Sequence, residues 1–92
     1  MRFDPARPAI HRALGRVLQK QDRRADAIAA YLQVLPLDPA SFETHNDLGV
    51  LYAQAGNLHQ AVRHFETAVR LRPDDAGARA NLSRAQALLR AP

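Results

Sequence analysis

Three prolines, Pro5, Pro39 and Pro73, stand at equal intervals of 34 residues, and each precedes a stretch of helically spaced apolar residues. The register between the copies holds residue by residue. His11 aligns with His45, Leu14 with Leu48, Gly15 with Gly49, Ala27 with Ala61, Tyr31 with Phe65 and Leu37 with Leu71. A period of this length constrains the fold more than any other feature of the chain. It calls for a small supersecondary unit, repeated, whose apolar face is buried only by stacking on the next unit.

Inside each period the apolar spacing is that of a helix pair. In the first copy Ile10, Leu14, Val17 and Leu18 form one stripe, and Ala27, Ile28, Tyr31, Leu32 and Leu35 form another. In the second, Leu48, Leu51, Tyr52 and Ala55 are followed by Ala61, Val62, Phe65 and Val69. These stripes are the expected core. The spacing predicts five helices, near 8–20, 24–35, 42–55, 58–71 and 74–90. Ser41, Asn57 and the Asp74-Asp75 pair are placed to cap the third, fourth and fifth. Pro36 has no amide hydrogen, so the second helix should end at or before Leu35. Gly15 and Gly49 fall inside helices, where glycine costs about 1 kcal/mol against alanine. That cost points to close helix approach, with Tyr31 and Phe65 filling the wedges between hairpins.

The residues Leu48-Gly49, Tyr52, Gly56, Ala61, Phe65, Ala68 and Pro73 carry a close resemblance to the tetratricopeptide repeat. The first copy keeps Leu14-Gly15, Ala27, Tyr31 and Pro39 and departs at Leu18, Asp22 and Val34. His11 and His45 stand where the repeat usually has tryptophan. The resemblance implies an all-α helix-turn-helix solenoid over residues 1–92, with full repeats at 8–41 and 42–75 and a partial repeat or capping helix at 76–92. In that last helix Arg79, Arg84, Gln86 and Arg90 should face water, with Leu82, Ala85 and Leu89 inward and Leu88 left over.

The same resemblance implies where a partner sits. The first helix of each repeat lines a concave groove, here through Ala9, Arg12, Arg16 and Gln19, then Glu43, Asn46, Val50 and Ala53, then Ala80, Arg84 and Ala87. The candidate binding set is Arg12, Arg16, Gln19, Asn46, Val50 and Arg84. Arg12 and Arg16 have no acidic residue four places away within their own helix, which leaves their guanidinium forks available to an acidic segment. Asn46 suits a peptide backbone, since its amide both donates and accepts. Some members of the family clamp a C-terminal carboxylate with basic residues and asparagines. Here Arg16 and Asp47 stand at the asparagine positions, and Gly77 and Asn81 at basic ones, so that activity is not expected.

Composition narrows the rest. The net charge is +4, and Lys20 is the single lysine. There is no cysteine, hence no disulfide or thiolate zinc site, which fits a reducing cytoplasm. No stretch is apolar enough for a membrane span or a signal peptide. No phosphate loop, zincin motif or nucleophile elbow is present, and Ser83 lies mid-helix, so no enzyme activity and no cofactor are expected. Asn81-Leu82-Ser83 is formally a glycosylation sequon with no export signal before it. His11 and His45 sit one helix spacing apart, about 8–10 Å, and His59 and His64 do not share a helix face, so no metal is expected either. Scattered arginines and few aromatics disfavour nucleic acid.

The leading reading is a scaffold that holds a protein or peptide, acidic in character, in a shallow groove. A second is self-assembly into a homo-oligomer, since two and a half repeats bury a thin core. A third is an accessory segment of a larger enzyme, such as a glycosyl- or sulfotransferase. It rests on Phe3-Asp4-Pro5, which stands in register with Leu37-Asp38-Pro39 like the tail of an earlier repeat.

Overall fold

A computed structural model describes residues 7–91. Pro5 and the Phe3-Asp4-Pro5 tail lie outside the described residues. Five helices follow one another: α1 Pro8–Lys20, α2 Arg24–Leu32, α3 Phe42–Gln54, α4 Leu58–Leu71 and α5 Ala76–Arg90, with no strand among the described residues. Sequential helices pack as antiparallel hairpins, and α2 packs onto α3 to join the repeats. The body is elongated, 51 × 27 × 19 Å.

Local chemistry sets the helix ends. Ser41 Oγ accepts from the Thr44 amide at 3.4 Å, Asn57 Oδ1 from Gln60 at 3.3 Å and Asp75 Oδ1 from Ala78 at 2.9 Å. Each satisfies an amide that the helix leaves without a partner. Asp75 alone caps α5, so the helix starts at Ala76 rather than at 74. The second helix stops at Leu32, three residues before the sequence-based limit. The chain then tightens into turns, with the Val34 amide on the Tyr31 carbonyl at 3.0 Å and Asp38 on Val34 at 2.7 Å. Pro36 has no hydrogen to continue the ladder. Its counterpart in the second repeat is Arg70, and α4 runs on to Leu71.

The glycines do what the spacing implies. A Cβ on Gly15 would stand 2.7 Å from the Tyr31 ring, and one on Gly49 2.4 Å from the Phe65 ring. Each aromatic therefore lies flat against the glycine of its own hairpin. Tyr31 also joins Leu18, Ala27, Ala30, Leu48 and Leu51 in one cluster, which spans the first repeat and α3. Phe65 joins Ala61 and Ala85, tying α4 to α5. Phe42, Ala68 and Ala78 form a third cluster, with the Arg72 guanidinium 4.3 Å over the Phe42 ring.

Several residues of the expected core are not buried, Leu32 and Ala55 among them. Leu14 is 48 % and Val17 51 % exposed, while their equivalents Leu48 and Leu51 are 0 % and 1 % exposed. The reason is position in the stack. Leu48 and Leu51 are covered by α2 of the first repeat, and no described helix covers α1 in the same way. In α5 the outward set is Arg79, Arg84 and Arg90; Gln86 is half-buried, and Leu88 is 54 % exposed.

Candidate interaction groove

The six predicted groove residues do not form one row. Arg12 on α1 is not an available fork: its Nη1 lies 3.5 Å from Asp38 Oδ2, in the turn before α3. It lines an open cavity with Arg7, Ala9 and Asp38 that none of the other five residues reaches. Arg16 is exposed but lies in the field of Asp47, a half-buried carboxylate on α3. Burial raises the Asp47 pKa from its ordinary value, and the Arg16 charge works against that rise. Gln19 is held from within, since its Oε1 accepts from the Tyr31 hydroxyl at 3.1 Å. Burial, and next the Asp47 charge, push the Tyr31 pKa up to about 12.

The other three residues come together. Val50 on α3 and Arg84 on α5 line a cavity of about 220 Å³ with Ala53, Gln54, Phe65, Asn81, Ala85 and Leu88. Asn46 sits at its edge through Asn81, whose Nδ2 donates to Asn46 Oδ1 at 3.3 Å. The floor is apolar, and the rim carries the amides of Gln54, Asn81 and Asn46 and the guanidinium of Arg84. Arg84 is exposed and makes no ion pair or hydrogen bond among the described residues. Arg72, by contrast, is taken up by Glu43 at 3.2 Å.

A second feature lies on α3 and α4, where the histidines pair as His45 with His64 rather than as His11 with His45 or His59 with His64. His45 Nδ1 and His64 Nδ1 are 3.1 Å apart, and His45 Nε2 is 2.9 Å from the Pro39 carbonyl. Tyr52 stacks on His64 at 5.5 Å between ring centres. Burial, then the charges of His45 and Arg63, lower the His64 pKa to about 4. The period carries no signal for this pair, because Ala30 holds in the first copy the place of His64.

With the hairpins, the glycine–aromatic wedges and the α3–α5 cavity described, comparison with known proteins shows the family. Residues 14–90 match the tetratricopeptide repeat. The chain belongs to the tetratricopeptide repeat family. It is 37 % identical over 62 residues to the cell division cycle protein 16 homologs of Homo sapiens and Mus musculus. That stretch is 67 % of this chain and 10 % of theirs, so the chain spans about a tenth of these relatives. Among solved structures, the first tetratricopeptide domain of Spaghetti (RPAP3), bound to the HSP90 peptide SRMEEVD, superposes with a TM-score of 0.91 at 17 % identity. The match covers 96 % of this chain and 70 % of that one. MamA superposes with a TM-score of 0.89 at 20 % identity, over 94 % of this chain and 50 % of that one. These likenesses establish the all-α solenoid.

Proposed function

We propose that this chain is a protein-interaction module that seats a peptide or protein segment on the concave face between α3 and α5, not an enzyme. The observation that carries the reading is the apolar cavity floored by Val50, Ala53, Phe65 and Ala85, with Arg84, which has no ion pair among the described residues, at its rim. The floor would take one apolar side chain. Arg84 would take a neighbouring carboxylate, and Asn46 with Asn81 would hold the segment's backbone. A related fold that carries the acidic peptide SRMEEVD supports this ligand class. The seat would differ from a carboxylate clamp, because Asp47 occupies a position that a clamp needs free of negative charge. The cysteine-free composition suits a cytoplasmic setting.

Titration of the purified chain with fluorescent acidic peptides, with and without an adjacent leucine, tests the reading. An exposed arginine contact contributes about 0.2–1 kcal/mol, so binding should be micromolar or weaker and should fall with salt. Arg84→Ala should weaken it several-fold. Arg12→Ala with Arg16→Ala should matter less, because both arginines already face Asp38 and Asp47. Binding that ignores Arg84 but follows Arg12 and Arg16 would move the site to the first repeat.

Self-association is a second reading, favoured by a separate observation: Leu14 and Val17 expose on α1 the face that Leu48 and Leu51 bury on α3.

A further inference from the structure

The second hairpin carries charges that neither the α3–α5 cavity nor the fold uses. A cavity of about 400 Å³ lies between α3 and α4 and shares no residue with the one between α3 and α5. His45 and His64, already bonded to each other, are its buried part. Its outer wall is a stripe on α4 made of Gln60, Arg63, Glu66, Thr67 and Arg70. Arg63, Glu66 and Arg70 are all exposed and stand at i, i+3 and i+7, so they share one helix face. Such spacings let opposite charges pair along a helix, yet no ion pair joins Glu66 to either arginine. The Arg63 guanidinium makes no hydrogen bond among the described residues either. Arg70 Nη2 donates to Thr67 Oγ1 at 3.1 Å, and that hydroxyl donates to the Arg63 carbonyl at 3.2 Å. The chain of bonds holds the Arg70 fork back over Thr67 and leaves most of its N–H donors unused.

The first repeat shows that the fold does not need this lining. Ala29, Leu32 and Pro36 stand there in the places of Arg63, Glu66 and Arg70. Ala29 lines the corresponding cavity beside His11. In the second repeat His64 is held neutral by burial, so it adds no charge at pH 7 and the two arginines outweigh Glu66. We propose that this α3–α4 face is a second interaction surface, which takes an acidic protein segment through two carboxylates set one to two helical turns apart. Guanidinium forks bind carboxylates through paired N–H donors. Glu66 lies between the forks, so a basic residue between the two carboxylates completes the match. One chain then holds two segments, one on each surface.

The test is an NMR titration of the full chain with an alanine-based helical peptide carrying Glu, Lys and Glu at i, i+4 and i+7. The peptide has no leucine, so it does not engage the apolar floor of the α3–α5 cavity. Shifts are expected at Gln60, His64 and Thr67, with weak binding that falls as salt rises. Arg63→Gln and Arg70→Gln should each weaken binding by about two- to fivefold, as for exposed ion pairs. Arg79→Gln, which removes an equally exposed arginine from α5, should leave it unchanged. Equal binding of a peptide with both Glu replaced by Gln would overturn the proposal. So would shifts confined to Val50 and Leu88, or binding indifferent to Arg63→Gln combined with Arg70→Gln. Inorganic phosphate that displaced the peptide at equal concentration would make this a free-anion site and remove the protein partner. None of these outcomes touches the α3–α5 seat, which is read from leucine-bearing peptides and Arg84→Ala.

Discussion

The two glycine–aromatic contacts hold the hairpins at their spacing. Helix propensity favours alanine over glycine by about 1 kcal/mol, yet a Cβ at Gly49 would sit 2.4 Å from a Phe65 ring that is itself 3 % exposed. The ring is backed by Ala61 and Ala85 and has nowhere to go. Overpacking of this kind costs about 1–3 kcal/mol, so Gly49→Ala should destabilise the chain despite its better propensity, which a urea midpoint will show. Phe65→Ala should cost more, about 3–5 kcal/mol, enough to leave a small domain largely unfolded at room temperature by circular dichroism. His64 supplies a pH-dependent term. Its pKa falls from 6.5 in the unfolded chain to about 4 in the fold, so the folded state holds it neutral. The stability this represents is fully present above pH 6.5 and is lost as pH falls from there towards 4. Melting temperatures of the native chain and His64→Ala should therefore converge on acidification. A constant difference across that range would mean that His64 titrates normally.

Turns and helix ends show what a sequence makes legible and what it hides. The α1–α2 turn puts Asp22 at φ 59°, and the α3–α4 turn puts Gly56, its equivalent, at φ 83°. Both turns need a left-handed residue, which glycine adopts freely and aspartate at some cost. Asp22→Gly should stabilise the first hairpin by up to about 1 kcal/mol, measurable as a raised melting temperature; a fall would show that the Asp22 side chain has a compensating role. Helix ends are local, so the sequence reveals the caps at Ser41, Asn57 and Asp75 and a limit for α2 before Pro36, but neither the stop at Leu32 nor the left-handed Asp22. The groove was less legible because its charges pair across elements. Asp38 is far outside the i±4 window of Arg12, and Asp47 is on a different helix from Arg16, so a helix-by-helix search left both arginines available. The His45–His64 contact, from α3 to α4, likewise joins residues that neither the period nor a single helix face relates. Val50 and Arg84, one period apart on α3 and α5, do line one cavity.

At the scale of the whole molecule, the two ends of the stack are not alike. At one end α5 turns Arg79, Arg84 and Arg90 to water and leaves Leu88 as its one strongly exposed leucine. At the other, Leu14 and Val17 lie open on α1, and Leu32 on α2 is 38 % exposed. The repeat shows what this face accepts: Leu48 and Leu51, in the equivalent places, are sealed by Ala27, Ala30 and Tyr31. A helix of that composition, small residues around one aromatic, is the natural cover for α1. Burying two such side chains would contribute about 1.5–3 kcal/mol each, too little on its own for a tight dimer after the loss of rigid-body freedom. The expected behaviour is weak, concentration-dependent association. Leu14→Glu with Val17→Glu should abolish it in sedimentation experiments. The same pair should leave the monomer's melting temperature nearly unchanged, since neither side chain is buried within it. In the second repeat Leu48→Glu with Leu51→Glu should instead unfold the chain. If the α1 pair destabilises the monomer as strongly as the α3 pair, the α1 face is already covered from within the chain and self-association through it is ruled out.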